Sequence, residues 1–177
     1  MPALPVSAVP SIWRKRAILP DEVTKHLTWP THSDVEVTKM VLSDWTSHYP
    51  DPDFYNWAIV LKEHGPEPIG NISVVRINSN TDCATIGYCM SRAHWRKGIM
   101  PEAVKVLQNY AFCELGKTIL WCGYFTGNDK SRRVSEKCGF NYHHTEYGVL
   151  MKQLGETRDV NKTVIYKNEW EKMQKNS

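Results

Sequence analysis

The apolar and polar positions of this chain change period several times, and each change marks an element. Before residue 30 neither period is present. Prolines at 2, 5, 10, 20 and 30 fix φ and remove backbone donors, so this stretch is expected to be loop, with a short helix near 21–27 and no sheet strand within 1–10. Ser33 with Glu36 three residues on reads as a capping box, and Val37, Met40, Val41 and Trp45 follow at helical spacing, which predicts a helix over 34–48. Three extended stretches come next, at 56–62, 68–77 and 81–90, divided by His64-Gly65-Pro66 and Asn78-Ser79-Asn80. Such short turns predict an antiparallel meander.

The period then returns to helical. Pro101 suits the first position of a helix, and Ala103, Val106, Leu107, Tyr110, Ala111 and Leu115 form one apolar stripe ending at Gly116. Residues 118–125 (TILWCGYF) are continuously apolar, as in a strand buried within a sheet. Asn128 caps a helix over 129–138 that Gly139 closes, and two strands at 142–150 and 161–168 end the pattern. The order predicts an α/β fold, a mixed sheet with helices packed on it, built as a single domain over 1–177.

Composition narrows the classes. A net charge of +3 with no long basic block argues against a nucleic-acid binder. No apolar run reaches the roughly 20 residues of a membrane span. The apolar N-terminus has its basic cluster after it rather than before, unlike a signal peptide, so a cytoplasmic location is expected. The five cysteines are scattered and form no CxxC pair, as reduced buried thiols would be. His143 and His144 are adjacent on an expected strand, where neighbours face opposite ways, and no four-ligand set is available, so no metal is expected.

The informative chemistry lies in YCMSRAHWRKGIMPE, residues 88–102, where a strand ends, a basic loop follows and a helix begins. Free N–H groups and partial positive charge at a helix start attract an anion, and Gly98 allows close backbone approach, with Arg96 and Lys97 beside it. A plain strand-to-helix turn with solvated basic residues has the same composition. Neither GxGxxG nor GxxxxGK[ST] is present.

HWRKGIMPEAVKVLQNYAFCELG resembles motif A of the GNAT acetyltransferases, especially the branch of the ribosomal-protein N-terminal acetyltransferases RimJ and RimL. FTGNDKSRRVSEKCGFNY resembles that branch's motif B, ATIGYCM its preceding strand, VIYKNEWEKM its ending and LTWPTHSDVEVT its acceptor-side helix. The likeness runs from about Pro20 to Met173. It implies a GNAT fold in which two parallel strands, here near 85–90 and 119–124, splay to admit the pantetheine of acetyl-CoA. Backbone groups of Tyr88, Cys89 and Met90 would polarise the acetyl carbonyl. Trp95, Arg96, Lys97, Gly98, Ile99 and Met100 would hold the pyrophosphate, Asn128 the pantetheine arm, and Ser131 the departing sulfur as general acid.

The chain departs from this pattern in four places. Thr85 replaces a frequent Glu, Ser135 a Tyr acid of other branches, and Pro101 a common Thr, while residues 1–19 match the family's opening strand and helix poorly. A truncated or altered first strand would leave a sheet edge open to a second copy, hence a homodimer. The resemblance implies direct acetyl transfer to a primary amine, either a protein N-terminal α-amine or a small molecule such as a polyamine. An α-amine, with a reference pKa near 7.7–8.0 against about 10.4 for lysine, depends less on a strong base. Asp82, His94 or Glu146 could take the proton through water. The alternative class is a degenerate domain that binds CoA or a partner without turnover. Nucleic-acid binding through Arg132, Arg133 and Lys137 competes with a solvated helix face.

Overall fold

A computed structural model describes residues 21–30, 34–51, 54–65, 67–75 and 81–175. The expectations for residues 1–10 and for the atypical opening stretch lie outside them, as does Ser33. The described residues open with two helices, α1 (Asp21–Thr24) and α2 (Val35–Ser47). The cap of α2 is Asp34, whose carboxylate accepts from the Val37 N–H at 3.0 Å, not Ser33 as the sequence pattern suggested. Both are good cap types, and the spacing alone does not separate them.

Strands β1 (Tyr55–Val60), β2 (Pro68–Val75) and β3 (Cys83–Met90) form the expected antiparallel meander. Helix α3 (Ile99–Asn109), strand β4 (Ile119–Phe125), helix α4 (Asp129–Lys137), strands β5 (Asn141–Met151) and β6 (Glu156–Tyr166) and helix α5 (Lys167–Lys175) complete the chain. The sheet has six strands in the order β1-β2-β3-β4-β6-β5. Among the described residues β3 and β4 are the one parallel pair, and the helix between them supplies the crossover that parallel neighbours require.

The core forms where alternate strand residues meet the helices. Val74, Ala84, Ile86, Leu120 and Ile165 pack with Val104, Leu107, Ala111 and Phe112 of α3 and its extension. The phase of α3 differs from the expected stripe. Leu107 and Ala111 are buried as predicted, but Val106 is 67% exposed, and Met100, Val104, Gln108 and Phe112 take the inner face. Gln108 is drawn inward because its amide donates to the Cys138 carbonyl at 2.8 Å, satisfying an end group of α4. Pro101 is the third residue of α3 rather than the first, which costs little because the N–H groups of the whole first turn lack helical partners.

Two further differences come from tertiary context. Residues 167–168, expected to extend the last strand, open α5, whose Trp170 ring packs 5.2 Å from that of Phe112. In β5 the register slips between Tyr142 and His144, so His143 is an extra residue in a bulge. The two imidazoles therefore meet instead of facing apart: their Nδ1 atoms are 2.7 Å apart and both rings stand edge-on to Trp121. Among the described residues no group of three His, Cys, Asp or Glu side chains is placed to hold a metal ion.

Candidate active site

The β3–β4 ladder runs only from Cys83–Ile119 to Ile86–Cys122. Beyond it each strand keeps its outer partner: β3 stays paired to β2 as far as Met90–Gly70, and β4 to β6 as far as Phe125–Val160. Their shared edge therefore opens into a notch, leaving backbone polar groups there without a ladder partner. The notch belongs to a cleft of about 900 Å³.

The residues that the resemblance assigns to the cofactor line this cleft: Tyr88, Cys89 and Met90 on β3, Trp95 through Met100 in the loop, and Asn128 and Ser131 at the start of α4. Trp95 is pinned to the strand end, its indole N–H donating to the Met90 carbonyl at 2.8 Å, while the Lys130 ammonium sits 4.1 Å over the ring. Arg96 has φ 63° and Gly98 φ 81°. A left-handed non-glycine residue is uncommon and costs about 1–3 kcal/mol, so this loop is held in a strained form by its surroundings. Gly98 itself precedes α3 as its N-cap with no side-chain cap, which leaves the first N–H groups of the helix available to an anion.

Tyr88 and Ser131 form the polar centre of the notch. The Tyr88 hydroxyl lies 2.8 Å from Ser131 Oγ and 3.3 Å from the Ser131 carbonyl. Burial drives the phenol well above its ordinary pKa, so at neutral pH it holds its proton and can donate it. Asn128 caps α4, its side-chain oxygen accepting from the Ser131 N–H at 3.2 Å, which fixes the turn that presents Ser131. The Cys89 thiol instead points at the Asn71 side chain, 2.9 Å away, and burial raises its pKa to about 11. That is too high for a nucleophile, so only its backbone can serve the cleft. Ser135 is buried against Cys122, 3.6 Å from its sulfur.

The structure adds residues that the sequence pattern did not single out. Arg133 and Lys137, read there as part of a solvated helix face, line the cleft beside Arg96, Lys97 and Lys130. Arg132 does face solvent, paired with Asp129 and Glu136 at 3.2 and 2.7 Å. Val23, His26, Leu27, Thr28 and Trp29, from α1 and the segment after it, also line the cleft. Of the carboxylates and imidazoles considered as proton acceptors, His94 and Glu146 reach the cleft. Asp82 stands at the start of β3, where its carbonyl accepts from Thr118 and Ile119, at the closed end of the ladder.

The described sheet is mixed, and its parallel pair parts beside a basic strand-loop-helix. The acetyltransferase (GNAT) domain family matches residues 12–141, and the chain belongs to that family. Its relatives include the uncharacterised N-acetyltransferase YoaA of Bacillus subtilis (strain 168), 29% identical over 83% of this chain and 82% of the relative. The fold is shared with the ribosomal-protein-S5-alanine acetyltransferase of Vibrio fischeri, with TM-score 0.79, 20% identity and coverage of 96% and 93% of the two chains. It is shared too with the spermidine N-acetyltransferase of Vibrio cholerae in complex with CoA and spermine, with TM-score 0.77, 15% identity and coverage of 96% and 95%.

Proposed function

We propose that this chain, acting as a single cytoplasmic domain, transfers an acetyl group from acetyl-CoA to a primary amine by direct attack, in the manner of the RimJ/RimL-like branch. The observation that carries this reading is the parting of β3 and β4 after Ile86 and Cys122, with the Tyr88–Ser131 pair inside the notch and the Gly98 turn at its rim. The pantetheine arm would lie along the freed strand edge, with the pyrophosphate on the N–H groups that open α3. The cations at Arg96, Lys97, Lys130, Arg133 and Lys137 suit the charge of CoA.

In this scheme the amine nitrogen attacks the acetyl carbonyl carbon, the C–N bond forms and the C–S bond breaks with its electron pair on sulfur. The thiolate takes a proton from the Tyr88–Ser131 pair. The buried phenol of Tyr88 would take the acid role that Ser135, which has no phenol and lies against Cys122, does not fill. With Thr85 rather than a carboxylate lining the cleft, the reading favours an acceptor whose amine is readily neutral, such as a peptide α-amine. The free thiols Cys83, Cys89, Cys113, Cys122 and Cys138 suit a reducing compartment.

Thiol release from acetyl-CoA, measured with a panel of peptide N-termini and small amines, tests the reading. Amine-dependent release is the expected result. Saturable CoA binding with no release from any amine overturns it in favour of a binding domain.

A further inference from the structure

An amine arrives at neutral pH largely as ammonium, and it must lose a proton before its lone pair can attack. Four described side chains line the cleft and could accept that proton: Asp129, Glu146, His94 and His26. Asp129 sits in the first turn of α4 and is held by the Arg132 guanidinium at 3.2 Å. Glu146 is already engaged, between the Lys162 ammonium at 3.3 Å and His144 Nε2 at 3.7 Å. His94 ends the short turn Arg92–His94, immediately before the strained loop, on the anion side of the cleft.

His26 is placed differently. It follows α1, its backbone N–H donating to the Val23 carbonyl at 3.3 Å, and it lines the cleft. It also lines a smaller recess with Phe125 and Thr126, where β4 ends. The imidazole is thus shared between the cleft and the recess at the end of β4, the strand that parts from β3. We infer that His26 is the general base that deprotonates the acceptor ammonium, an assignment that rests on the transfer reading above.

The surroundings fit the role. Lys25 from the same loop, Lys130 from α4 and Arg158 from β6 all act on His26, and burial followed by these cations holds its pKa below the ordinary value. Asp159 lines the same recess, Glu156 sits on Arg158, and each has a partner. Asp159 accepts from the Gly148 N–H at 2.9 Å, and Glu156 is paired with Arg158. The imidazole is therefore neutral at pH 7 and open to a proton. In the step, the ammonium N–H bond breaks and its proton goes to the imidazole and then to solvent. The neutral amine attacks, and its second proton is lost as the amide forms, restoring the hydroxyl pair that protonated the thiolate. One proton is released per acetyl group transferred.

The test is the pH dependence of kcat/KM by thiol release, for the intact chain and for His26→Gln, with two peptide-like acceptors whose amines differ in basicity. The wild type should show an acid limb with its midpoint below pH 6.5, the reference value for histidine. His26→Gln should lose that limb and fall about 10²-fold with a lysine-type amine, the scale of general-base catalysis, and by less with an α-amine that is already partly neutral. CoA affinity should stay within a factor of three. Lys130→Met removes a cation facing His26 and should move the limb to higher pH, which provides a readout even if the histidine variant fails to fold. A limb that survives in folded His26→Gln, or equal losses with both amines, overturns the assignment alone. Wild-type protein that binds CoA but releases no thiol with any amine overturns the transfer reading and this assignment with it.

Discussion

Strands β3 and β4 are one pair with two fates. From Cys83 to Ile86 against Ile119 to Cys122 they close a ladder, and Ala84 and Leu120 face each other in the core with at most 1% exposed. From Gly87 to Met90 and Gly123 to Phe125 the shared edge is open, although each strand is still held on its outer side. The first half is satisfied internally, and its residues contribute stability. The second half leaves ladder groups to be satisfied by something else, and the loop, the Tyr88–Ser131 pair and the cations gather around it. A site arises here because the sheet is interrupted where a helix start and a second helix converge.

If that contrast is right, substitutions in the open half should harm binding or turnover while sparing the fold, and those in the closed half should do the reverse. The largest effect is expected for Gly98→Val. A Cβ there meets nothing within 4 Å, so the penalty comes from φ 81°, about 1–3 kcal/mol for a residue that disfavours it. Displacing the turn removes the N–H groups from the anion, and CoA binding should fall below detection by calorimetry while the thermal melt moves only modestly. Undiminished CoA affinity in folded Gly98→Val protein breaks the comparison.

Leu120→Ala is the counterpart in the closed half. Its side chain is fully buried, and large-to-small core changes cost about 2–5 kcal/mol. Denaturant unfolding should show that loss, while the CoA affinity of the folded fraction changes little. A clear drop in CoA affinity with stability retained would place the site deeper in the ladder than the register indicates.

Ser131→Ala and Tyr88→Phe should each lower kcat by about 10²-fold, the scale of general acid catalysis, with CoA affinity nearly unchanged. The two hydroxyls are 2.8 Å apart, so they act as one unit and the double variant should be little worse than either single one. Full additivity in the double variant would separate their roles. An unchanged kcat for Ser131→Ala at saturating amine would remove the serine from the mechanism.

The strand-loop-helix of the candidate site was legible because it is local in sequence. A strand end, Gly98 and a helix start within a few residues announce themselves, and Asn128 followed by Asp129 and closed by Gly139 announces α4. What was not legible depends on distant partners. Whether Val106 or Gln108 faces inward is decided by the Cys138 carbonyl, thirty residues along the chain. Arg133 and Lys137 look like any solvated helical charges until α4 is laid beside the loop. The meeting of His143 and His144 follows from a bulge that no spacing rule supplies. His26 carries no motif, and only the fold brings it to the cleft.

The smallest expected effect separates two roles for one residue. Asn128 caps α4 with its side-chain oxygen, 3.2 Å from the Ser131 N–H, and its amide is free to meet the pantetheine arm proposed to lie beside it. Asn128→Ala removes both functions and should cost about 1 kcal/mol of stability, the usual worth of an N-cap. Asn128→Asp keeps a good capping oxygen but replaces the amide donors with a carboxylate, so stability should be retained. If the amide holds the cofactor, CoA should bind Asn128→Asp several-fold more weakly than the wild type, because a donor is lost and a negative charge faces an anionic ligand. If capping is its whole role, Asn128→Asp should match the wild type in both melting temperature and CoA affinity. Calorimetric titration of the two variants beside their melts distinguishes these outcomes, and it shows whether the start of α4 belongs to the open half of the pair or only braces it.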